Sequence, residues 1–153
     1  MKQGLRLFGH PVHPMAVHFP MGLLPAAALW QWLGLWRGGE IWWSLGLWTL
    51  ALGLLAALPA AASGLWDFLA LPENSPAETT ALIHLGAMIG AVTCFGASLF
   101  FQAAPVVSAP TAHMVAFVCS AAGFAVLIIG GRFGAELVYG FGLGLRESVK
   151  TSR

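Results

Sequence analysis

Four apolar runs dominate this chain, and each is long enough to cross a bilayer as a helix. They cover about 14–36, 41–69, 79–101 and 112–131, and roughly 18 or more apolar residues in a row read as a membrane span. Inside lipid every backbone N–H and C=O must find its partner within the protein, so such runs fold as helices. The sequence therefore predicts an all-α, integral membrane four-helix bundle, built as a single domain over residues 1–153. Its composition agrees: 58% of the residues are hydrophobic and 8% charged, against about a quarter charged in soluble domains. A net charge of +1 leaves no basic surface for nucleic acid. The lipid bilayer is the predicted partner.

The separators are short. Arg37 to Glu40 (RGGE) breaks the first run from the second, and Leu71 to Glu78 (LPENSPAE) is a two-proline loop. Gln102 to Thr111 (QAAPVVSAPT) is a turn, and the last helix is expected to continue to about Tyr139. Pro59 is expected to kink the long second span. No repeat of solenoid length is evident, and the first segment is read as retained, with no signal-peptide cleavage site. Four spans put both termini on one side. Lys2, Arg6, Arg132, Arg146, Lys150 and Arg153 lie there and Arg37 alone lies opposite, so the positive-inside rule predicts cytoplasmic termini. Trp30, Trp32, Trp36, Trp42, Trp43 and Trp48 read as an aromatic belt on the opposite side. Gly86 and Gly90 form a GxxxG pattern that predicts close helix contact, either within the bundle or in a homo-oligomer.

Polar residues gather at the terminal end. His10 and His13 precede the first span, His18 sits about one turn into it, and His84 sits about one and a half turns into the third. Asp67 closes the second span, and Arg132, Glu136 and Tyr139 close the fourth. His113 alone starts at the far surface. Polar groups at membrane depth are costly unless paired, so they mark a site or a structural bond. Pro20 and Pro25 each remove a helical hydrogen bond, from the carbonyls of Ala16 and Met21.

Two imidazoles from different helices at one level suit the axial positions of a haem iron. The candidate cofactor-binding residues are His18 and His84, with His13 as substitute and Met88 as a weaker ligand. Arg6 or Arg132 would meet the propionates. Asp67, Glu136 or Tyr139 would orient the ligands from behind. No CxxCH is present, which excludes covalent haem attachment. A transition metal is the alternative cofactor, held by a set drawn from His10, His13, His18, His84 and Asp67. No catalytic constellation is present, which leaves open whether the chain is an enzyme, an electron-transfer role included. Three functions stay open. The first is a b-type haem or metal electron carrier with a redox partner. The second is a non-catalytic assembly or anchor subunit with a structural polar ring. The third is a small proton or metal-ion transporter, which the apolar midplane disfavours.

GHPVHPMAVHFPMGLL (Gly9 to Leu24), GLWDFL (Gly64 to Leu69), the lone His84 and GGRFGAELVYGFGLGL (Gly130 to Leu145) resemble the bacterial predicted-membrane-protein family called domain of unknown function 2231. The resemblance spans about His10 to Leu145. It implies a four-helix protein of the bacterial inner membrane. By motif match it carries over His10, His13, Pro14, His18, Pro20, Asp67, His84, Gly131, Glu136, Tyr139 and Gly144. At fold level the pattern is also similar to di-histidine cytochrome b bundles. Those bundles need a histidine pair at each end to hold two haems, and the far end here offers only His113, so at most one haem is implied.

Overall fold

The computed structural model describes residues 4–104 and 108–144. Lys2, Arg146, Lys150 and Arg153, used above for orientation, lie outside the described residues. So does Leu145. The chain opens with a two-stranded antiparallel hairpin, β1 (Arg6–Leu7) and β2 (His10–Pro11). The sequence reading did not anticipate it. Phe8 (φ 49°) and Gly9 (φ 79°) make its tight turn. Then follow α1 (Val12–Ala16), α2 (His18–Arg37), α3 (Glu40–Leu69), α4 (Pro76–Ala103) and α5 (Ala109–Tyr139). α1 and α2 form one apolar rod, and the four rods are each long and apolar enough to cross a membrane. The chain is an all-α membrane bundle.

Local chemistry explains the boundaries. α1 and α2 part at Val17, where Pro20 cannot donate to the carbonyl of Ala16. α4 starts earlier than its apolar run, inside the stretch read as loop. Ser75 Oγ accepts the Glu78 N–H at 3.2 Å, and the Glu78 carboxylate accepts the Asn74 N–H. This reciprocal cap closes the first turn. α5 likewise starts at Ala109, with a proline in its first turn, where no N–H is needed. α3 runs unbroken through Pro59.

The bundle is two copies of one hairpin. Helix α1–α2 corresponds to α4 at an offset of 71 residues, pairing His13 with His84 and Gln31 with Gln102. Helix α3 corresponds to α5 at an offset of 70, pairing Trp43 with His113, Ala60 with Gly130 and Gly64 with Gly134. The burial registers coincide: Leu24 and Phe95, Gly53 and Gly123, Ala57 and Leu127, Ala60 and Gly130 are all buried. Three residues touch their own equivalents: His13 touches His84, Gln31 bonds Gln102, and Trp43 stacks on His113. A residue meets its own counterpart only near a two-fold axis. The two hairpins are therefore parallel repeats about a pseudo-two-fold axis along the bundle, and so along the membrane normal.

The middle of the axis is apolar. Leu24, Ala27, Leu50, Ala91, Phe95 and Leu127 fill it. Leu24 seats against Gly53, where an added Cβ would lie 2.7 Å from Leu24 Cδ2. The equivalent Gly123 takes Phe95, at 3.0 Å from Cδ2. Of the GxxxG pair, Gly86 faces open space while a Cβ at Gly90 would lie 3.6 Å from Val126 Cγ1, so the pair gives one ordinary contact and closer ones are made at Gly53 and Gly123. Five of the belt tryptophans are exposed or half-buried, but Trp43 is buried against Gly34.

The repeat makes a prediction. Gly53→Val and Gly123→Val overpack equivalent contacts and should each lower stability by about 1–3 kcal/mol. Thermal unfolding in detergent measures both, and similar losses are expected from the two halves.

Candidate functional site

At the terminal end, one histidine from each repeat reaches the axis. His13 Nδ1 lies 2.9 Å from the carbonyl oxygen of Ala60, on α3. His84 Nδ1 lies 2.8 Å from the carbonyl oxygen of Gly130, on α5. A carbonyl can only accept, so each Nδ1 carries the proton and donates it. In the neutral Nδ1–H tautomer, Nε2 keeps its lone pair, which is the ligating or accepting form. The ring centroids stand 6.4 Å apart, with the planes at 78°.

Glycine makes room for each ring. Gly64 lies one turn after Ala60, and a Cβ there would stand 2.8 Å from His13 Cε1. Gly134 lies one turn after Gly130, and a Cβ there would stand 3.0 Å from His84 Cε1. The accepting carbonyl and the cradle glycine thus recur in both hairpins, four residues apart in each. Ser63 adds to the first copy by donating to the carbonyls of Pro59 (2.7 Å) and Ala60 (3.1 Å).

The other candidates are placed elsewhere. His18 is exposed, and its Nδ1 meets the carbonyl of Met15 on its own rod at 3.3 Å. Five residues separate it from His13, which at 3.6 residues per turn puts it on a different face. Pro20 takes the buried position instead. His10 is exposed in the hairpin. Asp67 Oδ1 accepts the Leu5 N–H at 2.8 Å, which ties the segment before β1 to the end of α3. Arg6 is exposed and donates to the carbonyl of Gly9 within the hairpin turn, at 3.2 Å. Arg132 is exposed midway between Gly130 and Gly134, about half a turn from each, so it faces away from the pair. Glu136 is exposed with its carboxylate against Gly140, and Tyr139 is exposed at the helix end. Met88 packs against Gly130 and the core. Among the described residues, no three of His, Cys, Asp and Glu converge on a position that could hold a metal ion. The five-residue metal set is therefore not assembled.

The far end holds a cluster that the sequence reading missed. Gln31 and Ser98 are fully buried. Gln31 Nε2 donates to Ser98 Oγ at 3.0 Å and to Gln102 Oε1 at 2.8 Å. Ser120 Oγ donates to Ser98 Oγ at 2.8 Å, and Gln102 Nε2 donates to the carbonyl of Trp43. Beside it His113 stacks on Trp43, centroid to centroid 3.8 Å. The signal was present. A histidine followed 18 residues later by a glutamine occurs twice, as His13 with Gln31 and His84 with Gln102. That spacing is five helical turns, about 27 Å, so the two polar levels stand near opposite faces of the hydrocarbon.

A model of the family described as predicted membrane protein, DUF2231, matches residues 9–147, and the chain belongs to that family. No curated protein and no solved structure matches it significantly.

Gly64→Ala and Gly134→Ala should each push an imidazole off its carbonyl. The expected cost is about 1–3 kcal/mol in thermal unfolding. The imidazole 15N shifts of the same histidine should lose the uniform Nδ1–H signature, while the ring of the other repeat keeps it.

Proposed function

We propose that this DUF2231 protein is a membrane electron carrier holding one b-type haem between His13 and His84. The observation that carries the reading is the matched pair itself: two imidazoles, one per repeat, each with Nδ1 tied to a carbonyl of the neighbouring helix and, among the described residues, no hydrogen-bond partner at Nε2. Metal-bound histidines characteristically donate their second ring N–H in this way, which fixes tautomer and ring direction. The two ring centroids stand 6.4 Å apart, so His13 and His84 are near enough to hold one group between them.

The number of ligands favours haem over a bare ion. A protein-bound zinc or copper takes three or four side-chain ligands, and two are offered here. Haem iron needs only two protein ligands, and the two-fold axis supplies an equivalent pair in His13 and His84. Bound there, haem would supply one-electron redox chemistry, with His13 and His84 holding it. The chain's own contribution is to hold both rings in one tautomer, at one spacing, and to seal them from the far face. Leu24, Leu50, Phe95 and Leu127 fill the axis beyond them. Electrons would therefore enter and leave on the terminal face, through a redox partner there. We place that face in the cytoplasm of a bacterial inner membrane, following the lysine and arginine count. The same plug speaks against transport, because a path needs polar steps across the core.

The reading has a direct test in oxidised and dithionite-reduced spectra of protein purified in detergent after expression with haem precursor. A Soret band with sharp reduced α and β bands is expected. His13→Ala and His84→Ala should abolish it, and His18→Ala should leave it intact. A wild-type protein that stays colourless after haem loading overturns the proposal. The paired histidines would then be interhelical bonds of a structural membrane subunit.

A further inference from the structure

The far-end cluster does not close its own hydrogen-bond account. Gln31 Oε1 is buried with no partner, in a side chain that is fully buried. An unpaired amide oxygen in an apolar interior costs several kcal/mol, and in a membrane no bulk water relieves it. Rotating the amide does not help. It would turn Gln31 Oε1 toward Gln102 Oε1, and Gln102 is held in its orientation by its donation to the Trp43 carbonyl. Both hydrogens of Gln31 Nε2 are committed already, to Ser98 and Gln102.

A spare donor lies in the same cluster. Ser98 Oγ accepts from Gln31 and from Ser120. A hydroxyl has one hydrogen besides its two acceptor sites, and the bonds above leave that hydrogen unused. So one unused acceptor and one unused donor sit on two side chains that already touch. A single small neutral hydroxyl satisfies both, accepting from Ser98 and donating to Gln31 Oε1. Ion chemistry does not fit, because the cluster contains only amides and hydroxyls and has no charge to neutralise a cation.

We infer that Gln31 Oε1 and Ser98 Oγ hold one internal water molecule on the pseudo-two-fold axis at the far end of the bundle. Internal waters make two to four bonds to groups that would otherwise be unsatisfied, and this pair supplies the first two. Half-buried Gln102, at the C-terminal end of α4, gives the cluster its side toward the far surface. The water joins α2 to α4, and Ser98, which also accepts from Ser120 on α5, has no counterpart in the first repeat: Ala27 stands where Ser98 does, and Leu50 where Ser120 does. It lies at the far polar level, away from His13 and His84, and does not depend on haem.

The test is a structure of the whole protein at a resolution that shows ordered water, with water-to-amide cross-relaxation measured on the Gln31 side chain. The expected result is a compact density peak within hydrogen-bond distance of both Gln31 Oε1 and Ser98 Oγ, with cross-peaks from water to the Gln31 amide hydrogens. Ser98→Ala should lose the peak and the cross-peaks and lower the thermal midpoint. Gln31→Met, which keeps the volume, should lose the peak as well. Absence of density with Gln31 Oε1 bonded to a protein donor overturns the inference, as does a dry site without cross-peaks. Extended density from a membrane-soluble alcohol or phenol at the same two atoms overturns it in favour of an organic hydroxyl.

Discussion

Lipid tails are as apolar as leucine, so no hydrophobic force drives one membrane helix against another. Close backbone approach and polar pairing must do that work, and both are concentrated on the axis of this bundle. Gly53 and Gly123 let Leu24 and Phe95 sit against the neighbouring helix. Gly64 and Gly134 do the same for His13 and His84. Each histidine then adds a bond to a carbonyl on the other helix of its hairpin. The helices are held by the same contacts that set the geometry of the candidate site. A change that loosens the bundle there also misdirects an imidazole.

The two-fold repeat explains why polarity appears at two levels and not in between. A residue on the axis is met by its own equivalent, so a histidine in the hairpin unit becomes a histidine pair, and a glutamine becomes a glutamine pair. Between them the same geometry doubles apolar positions into a plug. Among the described residues, the result is a bundle with a polar cluster at each end and an apolar plug between them. That arrangement suits chemistry confined to one face. It also lets the two ends diverge: the terminal end keeps its matched imidazoles, while at the far end Trp43 faces His113 and Ser98 faces Ala27 by position.

The sequence reading placed its candidates at the terminal end and paired His18 with His84, whereas the structure sets His13 beside His84. His18 lies nearer His84 in estimated depth, and depth was the only coordinate that a linear reading supplied. Angle decided the matter. His13 lies on the axis face because Pro20, Leu24 and Gln31 continue that face along the rod, and His18 falls outside it. Asp67 and Arg6 were assigned by charge to a cofactor, whereas unclaimed backbone groups, the Leu5 amide and the Gly9 carbonyl, take them. Gln31 was passed over as one polar residue in an apolar run. Its partner Gln102 stands where the apolar run ends and a turn is expected, but α4 continues through it to Ala103, and only that brings the pair together.

By itself the sequence determined the solvent, the number of spans and their direction. Long uncharged runs leave a chain no fold in lipid except helices, and four spans bring both ends to one side. It also carried the family and the polar character of the terminal end. Tertiary structure alone decided which polar residues meet. Rotation of each helix about its own axis, fixed by where glycine permits contact, turns His13 inward and His18 outward. The same rotations bring Gln31 to Gln102, across 71 residues of chain. No local pattern encodes a rotation that depends on the packing of two separate hairpins.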